Sequence, residues 1–203
     1  WALSQRPLVH VGPELARDML ELRSDLGSGV LHAPPHILAN NGLLVVDDVG
    51  RQRVPPGELL HRWLGALEAG LDHVTVPGGA THVLPFDVSL VLVTSLAPES
   101  VLDDACLRRI GYRIPVGPLS EQSYRALLRR QARQRRIDLD DSAIAFLIEH
   151  LHRRTGRALL AAYPHELLGR IADFAGFSGQ APCCDVDGLT RAWYSLFGEG
   201  DAS

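Results

Sequence analysis

Leu43 to Val46 form an unbroken apolar run that stops at two adjacent carboxylates, Asp47 and Asp48. A run this short, without polar alternation, predicts a strand covered on both faces, the usual condition of parallel strands. A second run of the same kind, "VSLVLVT" from Val88 to Thr94, also ends in small polar residues. Strands of this type need helices on their faces, which points to an α/β layer rather than a bundle or a sandwich. Open α/β sheets bind ligands off the carboxyl ends of their strands, the edge to which this run delivers its acids.

The rest of the first half supports that class. "RPLVHVG" reads as a short strand, and "PELARDMLELR" as a helix with Leu15, Met19 and Leu22 on one face. "GSGVLHAPPHI" reads as a loop. In "PPGELLHRWLGALEAG", Pro55 and Pro56 open a helix, Leu59, Leu60, Trp63, Leu64 and Leu67 line its apolar face, and Gly70 ends it. "HVTVPGGATHVLPF" alternates on either side of its turn and predicts a hairpin. "SVLDDACLRRIG" predicts a short helix and "YRIPV" a short strand.

From Leu119 onward the pattern is helical throughout. Ser120 caps "EQSYRALLRRQARQRR", Asp140 or Asp141 caps "SAIAFLIEHLHRR", and Pro164 opens "HELLGRIADFAG", with Gly176 closing it. "FSGQAPCC" reads as a loop, and Asp187 caps "GLTRAWYSLFG". Gly117 and Pro118 mark the change of pattern, so the expected domains are 1–117 and 118–203.

Composition excludes several chemistries. Hydrophobic content is 46%, enough for a packed core. All 20 basic residues are arginine, so the chain has no lysine for a Walker A phosphate loop or a Schiff base. A formal net charge of −4 exerts no general pull on nucleic acid. No apolar run approaches the roughly 20 residues of a membrane span. The first residues lack the layout of a signal peptide. Three cysteines, with Cys183 and Cys184 adjacent, make no disulfide framework, and together these features predict a cytoplasmic protein. The histidines of "HAPPH" and "HLH" lack metal-ligand spacing.

"LLVVDD" has the form of a Walker B strand: Asp47 placed to hold Mg²⁺, Asp48 to orient or deprotonate an attacking water. The same residues also suit a solvated acidic turn. Thr94 and Ser95 offer hydroxyls for a water or a γ-phosphate, or for capping the next turn. Arg108 and Arg109 suit an arginine finger acting on a neighbouring subunit, or a solvated helix end.

Taken in order and followed by helices, these segments resemble the AAA+ ATPase superfamily. "LLVVDD" matches Walker B, "LVLVTS" the sensor-1 strand, "LRRIG" the finger segment, and the helices from Ser120 the lid. The phrase "ANNGLLVVDDVGRQRVPPGELLHRWL" further resembles a bacterial branch of large AAA+ ATPases. The implied fold is α/β: a partial nucleotide-binding domain whose parallel sheet lacks the P-loop strand, then an all-α lid of about four helices. The resemblance assigns the γ-phosphate sensor to Ser95, with Thr94 beside it, and the finger to Arg109 before Arg108. The second sensor falls on His165, with Arg157 as substitute. Asp48 stands where the superfamily usually has glutamate, one methylene longer.

The resemblance implies ATP and Mg²⁺ as cofactors and a homo-oligomeric ring that remodels a protein or other macromolecular partner, with neither membrane nor nucleic acid as substrate. No glycine-rich phosphate loop precedes Leu43. The expectation is therefore the C-terminal part of a longer ATPase, active as an ATP hydrolase only with a P-loop and inactive in isolation. The Pro77 to Thr81 hairpin tip is the expected substrate contact. The alternative is a non-catalytic adaptor touching nucleic acid through the Arg125 to Arg136 helix, whose arginines otherwise form a solvated lid face.

Overall fold

The computed structural model describes residues 4–25, 27–76 and 78–198. The chain divides into two compact units, Trp1–Arg113 and Ile114–Ser203, each with its own apolar core. Among the described residues no helix is long and apolar enough to cross a membrane.

The first unit is α/β. Its elements are β1 (Leu8–Val11), a 3-10 turn (Arg17–Leu20), β2 (Arg23–Ser24), β3 (Leu31–His32), α1 (Pro35–Leu38), β4 (Gly42–Val46), α2 (Pro56–Ala69), β5 (Leu71–Thr75), β6 (Thr81–Pro85), β7 (Val88–Leu92), α3 (Pro98–Val101) and α4 (Asp104–Arg109). A three-stranded sheet has the order β1-β4-β7, all parallel. β4 is central: Val11 pairs with Val46 on one side, and Val46 with Leu92 on the other. Leu44 and Val46 are fully buried under Leu59 and Trp63 of α2, each stabilising the unit by about 1.5–3 kcal/mol.

Gly42 begins β4 because only glycine fits there. A Cβ at that position would lie 2.1 Å from the Pro7 carbonyl oxygen, the same atom that accepts from the Leu43 N–H at 2.9 Å. Gly42→Ala forces β1 and β4 apart and is expected to cost about 1–3 kcal/mol in urea unfolding of the first unit.

Three sequence expectations differ here. The stretch 13–23 is not a helix beyond one 3-10 turn, because the Leu15 carbonyl accepts from the Arg53 N–H and Ala16 is extended. "YRIPV" forms no strand: Tyr112 and Val116 are 91% and 90% exposed. β7 is not covered on both faces, since Val91 and Val93 are 40% and 43% exposed. β7 pairs with β4 on one side and with no other strand among the described residues, so it is an edge, and "YRIPV" has no adjacent strand to join.

"HAPPHI", expected as a loop, contains the turn α1 and buries His36. The Trp63 indole N–H donates to His36 Nδ1 at 3.0 Å. That leaves the proton on Nε2, which donates to Asp72 Oδ2 at 3.0 Å. Arg62 also donates to both Asp72 oxygens and to Glu21. Burial, then the charge of Arg62, pushes the His36 pKa down, outweighing the pull of Asp72. Burial opposes ionisation of Asp72, but the hydrogen bonds and charge of Arg62 win and lower its pKa. A histidine held neutral binds its proton only after unfolding, so its stabilisation is complete above the ordinary histidine pKa of about 6.5 and is lost as pH falls below it. Protection factors of the β4 amides, observed exchange corrected for the intrinsic rate at each pH, are expected to fall over that range. His36→Ala removes this pH slope and costs about 1–3 kcal/mol by leaving the Trp63 N–H without its acceptor.

The second unit is helical: α5 (Glu121–Arg135), β8 (Asp138–Leu139), α6 (Asp141–Phe146) running through a π-helical turn (Leu147–His152) into α7 (Arg153–Thr155), α8 (Ala162–Ser178), β9 (Cys183–Cys184) and α9 (Val186–Phe197). Tyr124, Leu128, Ile144, Leu147, Leu167, Leu168, Leu189 and Trp193 make its core. Ser120 and Asp140 cap α5 and α6 through the Ser123 and Ser142 N–H groups. Asp185, not Asp187, caps α9, accepting from the Gly188 N–H at 2.7 Å. α8 runs past Gly176 to Gly179, where φ of 65° lets Gln180 N–H return to the Ala175 carbonyl. β8 and β9 pair in parallel, so Cys183 and Cys184 form a two-residue strand within the expected loop.

Candidate functional site

The parallel register fixes a rim. Beyond β4, the Asp47 N–H donates to the Val11 carbonyl at 2.8 Å, and the Val93 N–H donates to the Val46 carbonyl at 2.9 Å. The Val49 N–H returns to the Val93 carbonyl at 2.8 Å, and the Thr94 hydroxyl donates to the Val49 carbonyl at 2.8 Å. The turn carrying Asp47 and Asp48 is therefore held between the carboxyl ends of β1 and β7, on the side where Thr94 and Ser95 emerge.

Within that turn, Asp47 Oδ1 accepts from the Asp48 N–H at 2.9 Å, and its Oδ2 lies 3.5 Å from His10 Nε2. Gln52 donates to the Asp47 carbonyl and accepts from the Gly50 N–H, closing the turn from below. Asp48 sits at φ 52°, in the left-handed region, and Gly50 at φ 104°. The Asp48 carboxylate lies 4.0 Å from the Arg51 guanidinium. Both carboxylates are about half exposed. The half-exposed Asp47 carboxylate beside His10 could hold a hydrated divalent cation, which keeps several waters and takes one or two carboxylates.

The other expected site residues are distributed as follows. Ser95 is exposed at the same rim, while the Thr94 hydroxyl is engaged with Val49 and also accepts from the Leu96 N–H. Arg109, at the end of α4, pairs with Glu68 of α2 at 2.7 Å, and Arg108 donates to the Asp104 carbonyl. In the second unit, the Arg157 guanidinium lies 4.0 Å from the centre of the Phe197 ring, and His165 accepts from Arg135 at 2.9 Å. Along α5, Arg125 pairs with Glu121 and Arg129 with Asp141, so part of its basic face is neutralised within the unit. Of the hairpin tip, Pro77 lies outside the described residues. Gly78 and Gly79 take φ of 109° and 93° to turn the chain.

His10 and Gln52 were not singled out in the sequence. The signal for His10 was present: "LVHVG" is itself a strand reaching the same rim, and its register with β4 brings position 10 beside Val45. Gln52 closes a turn from five residues away and has no comparable pattern.

A family described as a domain of unknown function, DUF8689, matches residues 120–195, most of the second unit. No curated protein matches significantly. Among solved structures, NtrX from Brucella abortus is similar with a TM-score of 0.64 at 18% identity, over 94% of this chain and 44% of that one. NtrX in complex with ATP gives 0.62 at 16%, over 94% and 46%. The RuvB Holliday junction branch migration motor of Thermotoga maritima gives 0.59 at 13%, over 96% and 54%. The chain thus spans about half the length of the structures it matches, and its fold is similar to the corresponding parts of these AAA+ proteins.

Asparagine tolerates the left-handed backbone at position 48, whereas a β-branched residue does not. Asp48→Asn is expected to leave the unfolding midpoint unchanged, and Asp48→Val to cost about 1–2 kcal/mol.

Proposed function

We propose that this chain is the C-terminal portion of an AAA+ ATPase that couples ATP binding and hydrolysis to remodelling of a macromolecular partner. The observation that carries the reading is the parallel register of β4 with β7, which brings the ends of both strands to one rim. The open edge of β7 supports it: among the described residues β7 pairs with β4 alone, which leaves an edge where a P-loop strand of a longer protein would pair.

On this reading Asp47 holds Mg²⁺ through water or directly, and ATP–Mg²⁺ supplies the phosphoryl chemistry. Asp48 orients or deprotonates the attacking water, and Ser95 reads the γ-phosphate, with Thr94 fixing the loop that presents it. Arg109, with Arg108 as second, reaches the nucleotide of the next subunit in a ring. Its pair with Glu68 is exposed and worth at most about 1 kcal/mol, so releasing it costs little beside the transition-state charge it would stabilise. On the same reading the second unit is the helical lid and carries Arg157 and His165, and the Pro77 to Thr81 segment meets the partner. The lysine-free chain does not hydrolyse ATP by itself.

The test uses the protein with its P-loop segment restored. Asp47→Ala is expected to abolish Mg²⁺-dependent hydrolysis. Asp48→Asn should keep ATP bound while lowering kcat by about 10²–10⁴. Arg109→Ala should lower it by about 10³ and poison wild-type subunits on mixing. Turnover by the 203-residue chain alone, lost in Asp47→Ala, would contradict the reading.

A further inference from the structure

α2 and the α4 region pack through Leu60, Leu64, Leu102 and Leu107, and this packing brings together three side chains unconnected in sequence. His61 projects from α2, Asp103 is the N-cap of α4, and Cys106 lies in its first turn. One nitrogen, one carboxylate oxygen and one sulfur of these residues all lie within 4.8 Å of one another. The proposed nucleotide site uses none of them.

We propose that His61, Asp103 and Cys106 form a three-ligand site for a divalent transition metal of the zinc type. The donor set decides the class. Imidazole, thiolate and carboxylate together match zinc and cobalt, whereas Mg²⁺ and Ca²⁺ take all-oxygen sites. Neutral imidazole with two anions offsets the charge of a dication, and three protein ligands leave a fourth position for water.

The scaffold is pre-formed on two of its three sides. Asp103 Oδ1 accepts the Cys106 N–H at 2.7 Å, which fixes the carboxylate against the helix end and orients the Cys106 side chain. Cys106 is fully buried, while His61 and Asp103 are exposed, so the site has a solvent mouth and an apolar floor. Burial, then the hydrogen bond and charge of Asp103, pushes the Cys106 thiol up, so metal binding must displace the thiol proton. The proton leaves to solvent as the sulfur–metal bond forms. Metal bound here ties α4, the carrier of Arg108 and Arg109, to α2.

The experiment is a Co²⁺ titration of the Cys183→Ser chain under reducing conditions, followed by absorbance. The site predicts a thiolate-to-cobalt band in the near-ultraviolet with tetrahedral visible bands, both erased by one equivalent of Zn²⁺. Affinity should rise about tenfold per pH unit as the displaced proton becomes easier to lose. His61→Ala, at an exposed position, and Asp103→Asn, which keeps a competent helix cap, should each weaken Co²⁺ binding at least about tenfold with unchanged circular dichroism. Absence of a thiolate band in the parent chain, or a band that survives His61→Ala at full affinity, overturns the proposal.

Discussion

Everything in the first unit depends on β4 being paired in parallel on both sides. The pairing buries Leu44 and Val46, fixes the close approach at Gly42, and leaves the chain no choice about where Asp47 emerges. A strand is a rigid rod at this length, and its side-chain alternation cannot slip by one residue without turning Leu44 and Val46 out of the core. The position of the carboxylates is therefore set by apolar packing, not by their own interactions. That arrangement lets two half-exposed acids sit close together without a strong compensating partner: the scaffold holds them.

Each unit also carries one buried histidine locked into a single neutral tautomer. His36 accepts from Trp63 and donates to Asp72. His152, at the end of the π-helical turn, donates from Nδ1 to the Arg157 carbonyl and accepts from the Tyr124 hydroxyl at Nε2. Burial pushes both pKa values down. In each case a polar group in an apolar core satisfies two hydrogen bonds that only one arrangement of elements provides, which favours that arrangement over similarly packed alternatives. His152 thereby fixes the backbone of Arg157, whose side chain lies on Phe197.

Features set by local pattern were legible in the sequence. The "LLVVDD" strand, the stripe of α2 closing at Gly70, the hairpin and the Ser120 cap all follow from neighbours within a few residues. Features set across the chain were not. The 13–23 segment has helical spacing, but the Leu15 carbonyl is claimed by Arg53 from another loop. "YRIPV" has the composition of a strand but, among the described residues, pairs with no strand to complete a ladder. His36 meets Asp72 across 36 residues, and His61 meets Cys106 only because two helices pack. Asp47 and Asp48 were readable as a pair, while the left-handed backbone at Asp48 was not, since it requires the register of both flanking strands.

The proposed nucleotide site would place bound metal at the carboxyl rim of β4 and β7. Paramagnetic broadening of amide signals by Mn²⁺–ATP, in the protein with its P-loop segment present, measures that position directly. The strongest broadening is expected at Asp47, Asp48, Thr94 and Ser95, with Gly42 and Val88 at the far ends of the same strands nearly unaffected. Broadening centred on Gly42 and Val88, or confined to residues outside the sheet, would contradict it.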